Sequence, residues 1–300
     1  MSVLLASSLS NFTAYSANAV SEGSVVALAA LGFLLTHKAT GVISFAQGAL
    51  VTLGAYIAVW TNRDHGWPII PACLLAIVLM FFVGIASERI AYRPLRNSSI
   101  HVVVIATYGI AEIITALIGL WQGTKPKGLD PIVGGDFELF GAVIRWQRVL
   151  VLVVTLITVG AMILLFQKTQ FGRQVRAVAA DRETAQLYGV PVGRLSILSF
   201  GIAGALAGLA GVLISGVGTP VDLNFGFLIM LGGFYAAILG GFGSLGGVVV
   251  GGFMIGIVQY VIGSYWFVNY QQVLPFILLI GIIAIKPTGL FTKGQTHGRL

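Results

Sequence analysis

The chain has 300 residues, of which 57% are hydrophobic and 9% are Asp, Glu, Lys or Arg. A soluble domain carries about 25% charge, so this composition excludes a water-solvated globule and leaves lipid as the solvent. The net charge of +7 does not point to nucleic acid, because the basic residues sit in short breaks between apolar runs, the distribution that marks cytoplasmic loops.

A spanning helix needs about 20 apolar residues. Stretches 41–60, 66–87, 149–167, 195–221 and 223–285 contain no Asp, Glu, Lys or Arg. The alternation of a membrane barrel is absent, so the spans are helical. The predicted architecture is an all-α integral membrane bundle, a single domain over 1–300. Its nine spans lie at 16–36, 41–60, 68–88, 101–121, 149–167, 195–216, 226–242, 246–264 and 271–286. No basic segment precedes an apolar stretch at the N-terminus, so no cleaved signal is expected. The stretch before Glu22 is apolar enough to hold a further partial span.

The breaks set the orientation. Segment 89–96 holds Arg89, Arg93 and Arg96 without an acid, 168–194 is basic, and the tail carries Lys286, Lys293 and Arg299. These are expected in the cytoplasm, with the nearly balanced loop 122–148 outside. An odd number of spans then puts the N-terminus outside and the C-terminus in the cytoplasm. The charge-free tract 223–285 is 63 residues long, which leaves little for loops between three spans. Half-helices or re-entrant turns are therefore expected in it.

The 40 glycines cluster at Gly201, Gly204, Gly208 and Gly211 and again across 240–256. Spacing by three and four suits close helix contact in lipid. The run Gly240-Gly-Phe-Gly-Ser-Leu-Gly-Gly247 can also break a helix beside a solute path, which singles out Gly243 and Ser244.

Catalytic constellations are missing. His37, His65, His101 and His297 show no metal-ligand spacing, Cys73 stands alone in an apolar run, and no phosphate-binding loop of the form G-x-x-x-x-G-K-[ST] occurs. No catalytic residue, metal site or cofactor is expected in this chain. Two acids interrupt apolar runs, and an intramembrane acid is a functional candidate because its charge costs about 3 kcal/mol or more there. Glu22 lies near the outer end of its span, and Glu112 lies mid-span.

The break at 168–194 is the most informative polar segment. Val175, Val178, Ala179, Ala185 and Leu187 give a short amphipathic pattern. Asp181 is placed to cap a second short helix with Glu183 and Thr184 in its first turn, and Gly189 and Pro191 to end it. A short helix among arginines suits docking into a partner's groove, or a membrane surface.

Segment 171–194 and the apolar run after it resemble the permeases of branched-chain amino acid ABC importers. Thr40-Gly-Val-Ile-Ser-Phe-Ala-Gln-Gly48, Leu53-Gly-Ala-Tyr56, Ala91-Tyr-Arg-Pro-Leu-Arg96, Ile105-Ala-Thr-Tyr-Gly109 and 240–247 resemble that family as well, over about residues 20–290. The family usually has His where Gln47 stands, and apolar or neutral residues near Glu22, His37 and Glu112. The resemblance implies a type II importer fold in a bacterial inner membrane. It also implies a second, related permease or a copy of the chain, two cytoplasmic ATPases that bind ATP and Mg, and an extracytoplasmic solute-binding protein. The solute would be a branched-chain or other amino acid, urea, an amide or an aromatic acid. Residues 168–194 would hold the coupling helix, with Arg173, Arg176, Asp181, Glu183, Leu187 and Gly189 docking the ATPase. Phe45, Gln47, Gly48, Thr107 and Glu112, with Gly243 and Ser244, are the expected solute path. A transporter or channel acting alone is the alternative, and it would have only Glu22 and Glu112 to hold a coupling ion.

Overall fold

The computed structural model describes residues 2–96, 98–286 and 289–291, and side chains from residue 9 onward. Lys293 and Arg299, read as part of the basic tail, lie outside the described residues. The first element, α1 (Ser2–Thr40), is one unbroken helix. The apolar stretch before Glu22 extends this span instead of forming a separate one.

The helix α2 (Gln47–Val59) opens only after an irregular stretch at 41–46 and continues through a π-helical turn, Trp60–Asp64. Next comes α3 (Ile69–Ser87), whose axis runs through a second π turn, Glu88–Tyr92, into the short α4 (Arg93–Leu95). After α5 (Ile100–Gln122), the long loop carries a hairpin of β1 (Asp136–Leu139) and β2 (Ala142–Arg145). Phe140 and Gly141 both take positive φ at its turn, the geometry that matches strand twist in a two-residue hairpin. That hairpin was not expected from the loop's mixed composition.

The second half holds α6 (Trp146–Lys168), α7 (Gln170–Ala180), α8 (Arg182–Leu187), α9 (Val192–Ser215) and α10 (Phe225–Gly240). It continues with α11 (Leu245–Gly256), a third π turn at Ile257–Ile262, α12 (Gly263–Trp266) and α13 (Leu274–Ile285). Among the described residues, six helices are long and apolar enough to cross a bilayer: Leu9–Thr40, Ile69–Leu95, Ile100–Gln122, Trp146–Lys168, Val192–Ser215 and Leu245–Trp266. The spans read at 41–60, 226–242 and 271–286 form shorter helices of 13, 16 and 12 residues. At 1.5 Å per residue the last two reach about 24 and 18 Å, short of a hydrocarbon core of about 30 Å, and α2 reaches about 20 Å before its π turn lengthens it.

Burial sorts the helices. Over its most apolar stretch α1 is 89% buried and α9 72%, against 22% for α5 and 28% for α3 and α6. The first two therefore form the centre, and the others present Phe82, Ile105, Ile113, Ile157 and Leu164 outward, as lipid or a partner helix requires.

Glycine sets how closely the centre packs. A Cβ built on Gly204 of α9 meets the Met80 carbonyl of α3 and lies 3.0 Å from the Gly84 Cα. One built on Gly226 of α10 meets the Gly48 carbonyl of α2. The same crossing satisfies a helix start: the Gly226 N–H, one of the first-turn donors without an intrahelical acceptor, donates to Thr52 Oγ1 at 2.9 Å. Small residues here serve helix contact, as their spacing predicts.

The two ends of the bundle differ. At one, Arg63 pairs with Asp130 at 2.7 Å and Lys127 with Asp64 at 3.5 Å. Ser10 Oγ there donates to the Gly141 carbonyl of the hairpin at 2.9 Å. At the other, Lys38 Nζ donates to the Gly243 carbonyl at 3.1 Å, and the Leu290 N–H to the Leu239 carbonyl at 2.8 Å.

Candidate solute path and docking surface

Segment 168–194 folds as two short helices. Thr169 caps α7 by accepting the Gly172 N–H at 3.2 Å. Val175 and Val178 are buried against the bundle while Arg173 and Arg176 face out. Arg176 reaches back to the Phe166 carbonyl at the end of α6. Asp181 then caps α8, accepting the Thr184 N–H at 3.0 Å and the Thr184 hydroxyl at 2.5 Å. These bonds hold its carboxyl below the usual carboxylate range. Gly189 ends the turn at φ 80°, which a Cβ would strain.

The cap makes a local prediction. The lowered Asp181 pKa means its stabilising bonds are present above the unfolded carboxylate value near pH 4 and are lost as pH falls through the folded value. Amide exchange across 184–188 should therefore keep its protection from pH 7 to pH 5. Asp181→Ala should speed that exchange several-fold at both pH values.

Only Ala185 of α8 is buried; Glu183 is exposed, and Leu187 and Tyr188 are 87% and 85% exposed. The helix is nevertheless tied to the bundle. Arg182 Nη1 donates to the Tyr92 hydroxyl at 3.0 Å and lies 3.4 Å from the Thr40 carbonyl, and the Tyr92 hydroxyl also reaches Thr40 at 3.3 Å. One arginine thus joins α8 to the end of α1 and to the π turn below α3. The arginine-rich composition of the loop did not single out Arg182 for this.

Four residues expected on the solute path are gathered at the start of α2. The Phe45 N–H donates to Thr107 Oγ1 of α5 at 3.1 Å, and its ring lies 5.6 Å from that of Phe234. Gln47 is 2% exposed and donates from Nε2 to the Ala203 carbonyl of α9 at 3.1 Å. Gly48 lies under Gly226 and Met230. Here α2, α5, α9 and α10 converge, and the polar groups are spent on one another. Gly243 and Ser244 form the α10–α11 turn, where Ser244 Oγ caps α11 by accepting the Gly247 N–H at 3.1 Å. Glu112 stands apart. It is exposed on the outer face of α5, one turn from Tyr108.

A separate cavity of about 610 Å³ opens toward the hairpin end. Glu22 of α1, Asp222 and Asn224 before α10, Gln259 and Tyr260 of the third π turn, and Gln272 supply its polar groups. Val26, Ile214, Phe225 and Ile229 supply apolar wall. Asp222, Asn224, Gln259, Tyr260 and Gln272 were not singled out from sequence, because they converge from segments up to 50 residues apart. Among the described residues no group of three or more His, Cys, Asp or Glu is placed to hold a metal ion.

Residues 15–283 match the family described as the branched-chain amino acid transport system permease component. The chain belongs to this family. It is 31% identical to the high-affinity branched-chain amino acid transport system permease protein LivH of Escherichia coli, over 93% of this chain and 95% of that protein. It is 30% identical to the corresponding protein BraD of Pseudomonas aeruginosa, with the same coverage. A probable LivH of Methanocaldococcus jannaschii is 33% identical over 91% of this chain and 90% of its own length. No solved structure matches. As a member of this permease family the chain is a transport subunit of an ATP-binding-cassette importer and not an enzyme, and ATP hydrolysis belongs to a separate subunit.

Proposed function

We propose that this permease moves a branched-chain aliphatic amino acid inward across a bacterial inner membrane by alternating access. Two cytoplasmic ATPases drive it, a second permease or a copy of the chain completes the pore, and an extracytoplasmic binding protein delivers the solute. ATP and Mg sit on the ATPases. The observation that carries this reading is the exposed Leu187–Tyr188 pair on a capped helix at the basic end. Two large apolar groups held out on a rigid turn suit a groove on another protein.

The direction of the chain supports nine crossings of a type II arrangement. Successive linkers alternate between the hairpin end and the coupling end from α1 to α13, in keeping with an N-terminus outside and a C-terminus in the cytoplasm. ATPase closure would pull on α8 and, through Arg182, on Tyr92 and Thr40, so that α1 and α3 move with α9. Phe45, Gln47, Gly48 and Thr107 lie where that motion would open the inner half of the path.

Uptake by the reconstituted complex tests the reading. Glu183→Lys is expected to cut ATP-driven leucine uptake by about tenfold or more while leaving the permease folded and in the membrane, since it puts a cation where the ATPase groove meets an acid. Normal uptake by this variant would remove α8 from the docking surface. Failure of the wild-type permease to retain its host's ATPase in detergent would sink the importer assembly itself.

A further inference from the structure

The cavity at the hairpin end has a lining suited to one kind of solute. Its lining includes two carboxylates, Glu22 within the membrane part of α1 and Asp222 at the mouth, and no Lys, Arg or His. Asp222 is held by its own turn, where its Oδ1 accepts the Asn224 N–H at 3.0 Å. Glu22 lies near Tyr260 and feels the attraction of Arg148, yet makes no ion pair within 4 Å among the described residues. The Nε of Arg148 is likewise buried without an acceptor. Its guanidinium lies outside the lining.

The third π turn matters to this arrangement. Wide turns of this type interrupt α-helices at functional positions more often than chance. This one, Ile257–Ile262, presents two consecutive polar side chains, Gln259 and Tyr260, to the same cavity. Val26, Ile214, Phe225, Phe227, Leu228 and Ile229 supply aliphatic and aromatic lining. A volume of about 610 Å³ falls in the range of small-molecule sites, which are mostly apolar with a few placed polar groups.

We propose that this cavity is a solute-binding station on the outer half of the path. Glu22 and Asp222 hold the ammonium group of the solute, and Val26, Ile214 and Ile229 receive a short aliphatic body. The site discriminates by charge. It admits amines and zwitterionic amino acids, and it rejects the matching 2-oxo acid, which has the same carbon skeleton but no ammonium group. This rests on the importer reading for its place in transport, but binding at the site does not require the ATPases.

A reporter cysteine tests binding apart from transport. Thr219→Cys is introduced at the cavity wall with Cys73→Ser, and maleimide labelling is followed in the detergent-solubilised full chain. L-leucine and isoamylamine are expected to slow labelling at least several-fold, and 4-methyl-2-oxopentanoate to leave it unchanged. Adding Glu22→Gln or Asp222→Asn should raise the protecting leucine concentration by about tenfold, the worth of one charge-assisted hydrogen bond. Asp222→Glu should retain protection. Equal protection by the oxo acid, or undiminished protection in the Glu22→Gln, Asp222→Asn double variant, overturns the proposal. Absence of ATP-driven leucine uptake with protection intact would count against the importer reading alone.

Discussion

Replacing Leu187 and Tyr188 together with alanine is expected to weaken ATPase binding by about 10²–10⁴-fold. Burying a Leu side chain contributes about 1.5–3 kcal/mol, and a Tyr a comparable amount. Both side chains stand almost fully exposed, so nearly all of that burial is available to a partner. The helix beneath them is held by its own cap, by Ala185 and by Arg182, none of which the double substitution touches. The permease should therefore remain folded, and titration of the purified ATPase onto it reads docking alone. Val143 on the hairpin is 59% exposed at the opposite end, and Val143→Ala should leave the affinity unchanged. An affinity for the double variant within about threefold of the parent would place the docking surface elsewhere on the basic end.

The two short helices within 168–194 were readable in advance because their determinants are local. An Asp that accepts from a residue three positions on, and a Gly at positive φ two positions beyond the helix's last residue, are set by neighbours in sequence. The same holds for the apolar runs, whose length and lack of charge follow directly from the solvent. What was not legible depends on distant contacts. Nothing in 41–60 says that the helix waits until Gln47, because the reason is the convergence of Thr107, Ala203 and Gly226 from three other helices. Gln47 shows its polarity in the sequence but not its partner, the Ala203 carbonyl of α9. Glu112 looks interior because it interrupts an apolar run, and its helix turns it outward. The cavity groups were missed for the converse reason: Asp222 ends a loop and Gln259 sits in an apolar run, and only the fold brings both to Glu22.

Gly204→Leu is expected to abolish the folded permease, for a reason that is geometric. The nearest atoms to a Cβ at this position belong to backbone: the Met80 carbonyl, the Gly84 Cα at 3.0 Å and the Gly84 N at 3.2 Å. A rotamer change cannot relieve contacts of that kind, so α3 and α9 must separate. Overpacking of a close-packed interior costs about 1–3 kcal/mol even where side chains can adjust, and here they cannot. Lipid offers no compensating hydrophobic drive, since α3 is as well solvated by acyl chains as by α9, so the close contact itself is what holds the pair. Gly201→Ala provides the graded case. Its Cβ meets the Phe81 ring edge at 2.8 Å and Ile85 Cγ1 at 3.1 Å, both of which can shift, so a partial loss of thermal stability is expected. Gly193→Leu sits on the same helix with nothing within 4 Å and should leave yield and melting unchanged. Monodisperse yield in detergent separates the three. Wild-type yield for Gly204→Leu would mean that α3 and α9 are not in backbone contact, and the route proposed from α8 through Tyr92 and α3 would lose its rigid support.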